Sequence, residues 1–125
     1  MLVAARIFFG LFFFGSAMLK VFAAETELSM MREVGFTAPV PLYVAAAVVQ
    51  MVAGGALLAN RFVPWAALAL AGYVALINVF MHAFWMLEGA AWLIQFQLFS
   101  KNLGIMAGLV ALAGATLDRD ANRHA

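Results

Sequence analysis

Four long apolar stretches, separated by short polar ones, dominate this chain. A helix crossing a hydrocarbon core about 30 Å thick needs about 20 mainly apolar residues. Four segments meet that length: Leu2–Ala24, Val40–Asn60, Phe62–Leu87 and Gln95–Leu117. The purely apolar part of the fourth, Leu103 to Leu117, is too short to span, so its helix is expected to extend upstream and carry Asn102 and Lys101 into the membrane. The first span likewise needs Lys20 near its end. The connections "NRFVP" and "EGAAW" are short, which favours antiparallel neighbours. Only the first connection, roughly Glu25 to Pro39, is long. Its "ETELSMMREVGFTAP" mixes charges with paired Met and lone Phe and predicts a short amphipathic helix on the membrane surface, ended by Gly35, with a plain tethering loop as the alternative. The expected fold is all-α: an integral membrane four-helix antiparallel bundle, one domain over residues 1–125, with a polar tail at 118–125.

Composition sharpens this picture. The 125 residues are 67% hydrophobic and 10% charged, with mean hydropathy +1.02, against about 45–50% apolar and about 25% charged in soluble domains. A net charge of +1 with scattered arginines offers no field for nucleic acid. The absence of cysteine excludes disulfides, thiolate metal sites and thiol–disulfide chemistry. Arg6 followed by "IFFGLFFFGSAM" imitates a secretory signal, but Lys20 stands where the apolar run should continue and three spans follow, so retention of the segment is expected. With both termini cytoplasmic, Arg6, Arg61, Arg119 and Arg123 lie inside, against Lys20, Arg32 and Lys101 outside.

The polar residues within the spans carry the candidate chemistry. At 1.5 Å per residue from the outer helix ends, Lys20 and Lys101 lie about 6 Å deep, His82 about 7 Å, Asn78 about 13 Å and Gln50 about 15 Å. All fall in the outer half. Residues at i and i+4 share a helix face, and Ser16 with Lys20, Asn78 with His82, and Gln97 with Lys101 pair in that way. Trp85 follows His82 by three. The stripe on the fourth span continues through Gly104 and Gly108, and Gln50 is followed by Gly54, a small-residue pattern that lets backbones approach closely. The expectation is a packed inner seam with its polar groups gathered at one end. The plainer alternatives are hydrogen-bond glue for Asn78 and His82, snorkelling for the lysines, and interfacial anchoring for Trp85 and Trp92.

The order "AMLKVF", "QMVAGGALLAN", "HAFW" and "LFSKNLGIMAGL" resembles the DoxX family of small membrane proteins over nearly the whole chain. The resemblance implies a four-helix inner-membrane protein of bacteria, in some members linked to membrane-bound redox complexes such as those of thiosulfate and quinone. The family pattern falls on Lys20, His82, Trp85, Lys101 and Asn102. Relatives commonly carry a glutamate at the position of Gln50 and an aspartate at that of Ala83, so no carboxylate within the spans is left to balance the two lysines. A quinone suits such a site, with carbonyl oxygens for the donors, a flat ring for aromatics and an isoprenoid tail for lipid. The expected binding set is Lys20, Gln50, Asn78, His82, Trp85, Lys101 and Asn102. Haem is poorly served, since His124 lies in the tail, and one membrane imidazole without acid or thiolate gives no metal site. No flavin, nicotinamide or iron–sulfur signature is present, so the expected role is a redox subunit beside membrane lipids and other subunits or copies of itself. A scaffold subunit and a small oligomeric permease are the alternatives.

Overall fold

The computed structural model describes all residues from Met1 to Ala125. Four of its helical segments are long and apolar enough to cross a membrane. The first span is α1 (Leu2–Phe22), and Ala23 separates it from α2 (Ala24–Glu33). The second span is α3 (Pro39–Leu58), the third is α4 (Val63–Met81), and α5 runs over Gly89–His124. No strand is present.

Neighbouring spans run antiparallel. Arg6 near the start of α1 donates from one guanidinium nitrogen to the carbonyls of Leu57 and Leu58 at the end of α3. At the other end of the pair, the Tyr43 hydroxyl donates to the Lys20 carbonyl at 2.6 Å. Asn78 meets Phe99 and Asn102 across α4 and α5. The last carbonyls of a helix have no partner within it, and a cation placed there also complements the helix dipole. Arg6 therefore acts as a C-terminal cap for α3 supplied by another helix.

The turns are built from local chemistry. α2 opens with Glu25 and Glu27 in its first turn and closes with Arg32 in its last, the charge order that the helix dipole favours. At its end Gly35 takes φ +97, Gly35 N–H donates to Arg32 at 3.0 Å, and Phe36 N–H donates to Met31 at 3.1 Å. This Schellman stop realises the amphipathic helix ended by Gly35. After α3 the same device recurs with Asn60 at φ 56, and Arg61 N–H donates to Ala56 at 2.9 Å. Asparagine tolerates the left-handed region better than other non-glycine residues.

Two boundaries differ from the sequence expectation. The third helix stops at Met81; His82 is its C-cap, and residues 82–88 form the connection, including a single 3₁₀ turn at Phe84–Met86. The fourth begins at Gly89, so "EGAAW" opens a helix instead of linking two. Hydropathy hides this break, because aromatic "HAFW" reads as apolar span while its backbone turns. At 36 residues α5 is about 54 Å long, more than a core of about 30 Å requires. It absorbs the polar tail at 118–125, which has no proline or glycine to stop it and ends with Arg123 and His124 in the last turn.

The buried core is concentrated near the end of the bundle that carries both termini. Phe13, Leu57, Leu70, Leu109 and Leu112 pack there with five small alanines. Gly54 lets α3 approach α1: a Cβ built on it would lie 2.7 Å from the Phe14 amide nitrogen. No residue of α5 before Leu109 is buried. The α2 end of the bundle is correspondingly looser.

Candidate functional site

A cavity of about 650 Å³ opens at the α2 end, between α3 and α4 and beneath α2. Its walls are mainly apolar: Ala46 and Val49 from α3, Leu76 and Phe80 from α4, Met31 and Phe36 from the α2 segment. Val49, Leu76 and Phe80 are also exposed on the outside of the bundle, so the cavity is a cleft in its flank. The Schellman stop of α2 brings Phe36 against Phe80, with ring centroids 6.4 Å apart, which closes the roof onto α4.

Polar groups occupy a few points of this apolar surface. Lys20 forms an ion pair with Glu27 of α2, and both line the cleft. The lysine side chain is 12% exposed and the glutamate 36%. The ammonium also lies 5.0 Å from the centroid of the Tyr43 ring, within the range of a cation–π contact. The span lysines were expected to lack a balancing acid; for Lys20 the acid arrives from α2, outside the spans. Tyr73 lines the cleft from α4, and its hydroxyl makes no hydrogen bond within the chain. His82 completes the set. Its Nδ1 lies 2.7 Å from Gln95 Oε1. The imidazole Nε2 has no partner within the chain.

The other expected site residues separate from this cleft. Asn78 is buried at 2% exposure on the α4–α5 seam. It donates to the Phe99 carbonyl at 3.1 Å and accepts from Asn102 Nδ2 at 2.8 Å. Asn78 and His82 thus bind different parts of α5 and do not orient one another. Gln50 is 5% exposed on α3, its Oε1 has no partner, and it does not line the cleft. Trp85 is 55% exposed and packs edge-on against Phe84 and Phe99. Lys101 is exposed and bonds to nothing in the chain.

The inward stripe of α5 is therefore not Gln97, Lys101 and Gly104, all of which are exposed. It runs through Asn102, Leu109, Leu112 and Thr116. Of the two glycines expected on the seam, Gly108 meets the Phe9 ring of α1, while Gly104 faces open space. Ser16 and Ser100 return their hydroxyls to their own helix backbone four residues back.

A protein-family model described as DoxX matches residues 1–83. The chain belongs to the DoxX family. No curated protein and no solved structure matches it. The DoxX match covers α1 to α4, and so includes Lys20, Gln50, Asn78 and His82. It is shorter than the whole-chain resemblance suggested: Trp85, Lys101, Asn102 and all of α5 lie outside it. Every wall of the cleft, by contrast, comes from residues within the DoxX match.

Three polar lining residues escaped the sequence reading, Glu27, Tyr43 and Tyr73, as did Gln95, which holds His82 from behind. A signal for two of them was present. The chain has only two tyrosines, one in each of the helices that flank the cleft, and Tyr73 sits near the middle of its span, away from the interfacial belt where tyrosine is ordinary.

The Asn78–Asn102 pair has a testable weight. Asn78→Leu removes both side-chain bonds of the seam and leaves Asn102 unpaired. At about 0.6 kcal/mol for an average interhelical bond in a membrane, the loss is expected to be about 1 kcal/mol. In a double-mutant cycle with Asn102→Leu, read by thermal unfolding in detergent, the second substitution should cost little once the first is present. Full additivity would show that the two amides are not coupled.

Proposed function

We propose that this DoxX protein is a membrane subunit of a redox assembly of the bacterial inner membrane, both termini cytoplasmic, and that its flank cleft receives a quinone or a similar small amphipathic molecule. The observation that carries the reading is the cleft itself: a mainly apolar cavity of about 650 Å³ with a few polar groups at its edge. Ligand pockets of about 300–1,000 Å³, mostly apolar with few placed polar groups, are the ordinary form of small-molecule sites. An ammonium has three donor positions, so Lys20 keeps donors beyond its bond to Glu27. The Tyr73 hydroxyl and the free nitrogen of His82 add a donor and an acceptor, which serve the carbonyl of a quinone and the hydroxyl of its reduced form. Exposed apolar walls allow entry of a tail from the lipid. The sequence carries no flavin, nicotinamide or iron–sulfur signature, so this reading assigns the electron donor to a partner subunit.

The test is purification of the native complex with identification of its bound lipid-phase molecules, followed by quinone binding to His82→Phe. Loss of one polar partner is expected to weaken quinone binding about tenfold, for about 1.4 kcal/mol. The fold should survive, since the bond to Gln95 is worth only about 0.6 kcal/mol. A native complex without quinone, or a phenylalanine variant that binds quinone as the wild type does, would set the reading aside in favour of a scaffold subunit.

A further inference from the structure

At the opposite end of the bundle a second, smaller cavity of about 50 Å³ lies between α1, the α3–α4 turn and α5. Arg6, Asn60, Thr116 and Arg119 line it, with Val63 and Leu112 among its apolar walls. We infer that this cavity is a site for the phosphate group of an anionic phospholipid, held between Arg6 and Arg119. This is independent of the quinone reading, which concerns the other end of the molecule.

Two arginines from the first and last helices line the same small cavity although they stand near opposite ends of the sequence. Arg6 spends a single nitrogen, Nη1, on the Leu57 and Leu58 carbonyls. A guanidinium presents five N–H groups in a fixed fork, so a second face of Arg6 stays available, and that fork matches phosphate oxygens in pairs. Arg119 donates through Nε and Nη2 to one oxygen of Asp120, at 3.1 and 3.0 Å. Their side chains are 36% and 47% exposed, and exposed ion pairs are worth only about 0–1 kcal/mol. A phosphate can share Arg119 without a large loss.

Size, depth and charge agree with this ligand. At about 50 Å³ the cavity exceeds what a single water needs, roughly 10–15 Å³, and has room for the oxygens of a phosphate head. Leu2 is the first helical residue, and Arg119 follows the last apolar residue of α5, Leu117, by two positions. The cavity thus sits where the spans leave the apolar layer, at headgroup depth. Arg6, Arg61, Arg119 and Arg123 outnumber Asp118 and Asp120 at this end. Val3, which also lines the cavity, is exposed, giving an acyl chain an apolar surface that free phosphate cannot use. Basic pockets between transmembrane helices are a recurrent means of holding anionic lipid heads.

The experiment is native mass spectrometry of the full chain in mild detergent, titrated with phosphatidylglycerol and with phosphatidylcholine. The wild type is expected to retain phosphatidylglycerol preferentially. Arg119→Gln, which leaves the Arg6 cap of α3 intact, should lower that retention about fivefold. Arg123→Gln, a cation of the same end that does not line the cavity, should leave it unchanged. Equal retention of the two lipids, or equal loss in the two variants, would overturn the proposal. So would binding of inorganic phosphate as tight as that of the phospholipid, because the acyl contacts would then contribute nothing.

Discussion

Gly54→Ala is expected to destabilise the bundle by about 3 kcal/mol, the upper part of the range for overpacking a well-packed interior. The added methyl would lie 2.7 Å from the Phe14 nitrogen, 3.2 Å from its Cα and 3.3 Å from the Gly10 carbonyl oxygen. All three are backbone atoms, so no rotamer change relieves the contact; α1 and α3 must move apart. That separation also disturbs both hydrogen-bonded ends of the pair, where Arg6 caps α3 and Tyr43 holds the Lys20 carbonyl. Gly55→Ala, whose methyl would touch only the Phe14 ring at 3.8 Å, and Gly72→Ala, which meets open space, should be tolerated. Thermal unfolding of the three variants in one detergent is the measurement. Equal stability of Gly54→Ala and Gly55→Ala would mean that the close approach of α1 and α3 does not hold in the membrane.

The spans and their alternation were readable because burial in lipid is a one-dimensional demand: each helix must be apolar for its full length, and hydropathy reports that directly. Which face of a helix meets protein is a different matter, since lipid and protein interior are both apolar. On α5 the polar stripe of Gln97 and Lys101 suggested the inner face, yet the seam lies one residue further on. Asn102 turns inward because Asn78 meets it there, whereas Lys101 has no partner and its long stem allows the ammonium to reach the interface. The break after Met81 was hidden for a related reason. His82 leaves the helix with Gln95 as its partner, and no proline or glycine marks the spot.

The cleft was legible only in part. Lys20 and His82 were named from the sequence and line it, but its apolar walls are ordinary Ala, Val and Leu positions that nothing singles out before α3 and α4 are placed. Glu27 belongs to a helix whose orientation decides everything. It lies seven residues from Lys20, and a continuous helix would place that pair two turns apart. The kink at Ala23, with φ −106 and ψ 16, folds α2 back so that the carboxylate returns to the ammonium.

That ion pair makes α2 the part of the molecule most sensitive to charge. Glu27→Lys is expected to release α2 from the bundle, at a cost of about 3 kcal/mol, or on the order of a hundredfold in the docking equilibrium. The figure lies at the low end for removing one partner of a buried pair, because the glutamate side is 36% exposed and partly screened. Beyond the lost attraction, two ammonium groups would face each other beside a lysine only 12% exposed. Faster hydrogen exchange confined to Ala24–Phe36, with α3 and α4 unchanged, is the expected signature. Lys20→Glu combined with Glu27→Lys should restore protection, but incompletely. The swap places a carboxylate where the Lys20 ammonium now lies over the Tyr43 ring, and the negative face of an aromatic ring attracts a cation and repels an anion. If the charge reversal leaves exchange in α2 unaltered, the helix is held by Phe36 on Phe80 and by its apolar side alone, and the ion pair is a surface ornament. If the swap restores protection fully, the aromatic contact contributes nothing to the choice of lysine at position 20. Partial rescue is the outcome that ties both contacts to the closing of the cleft.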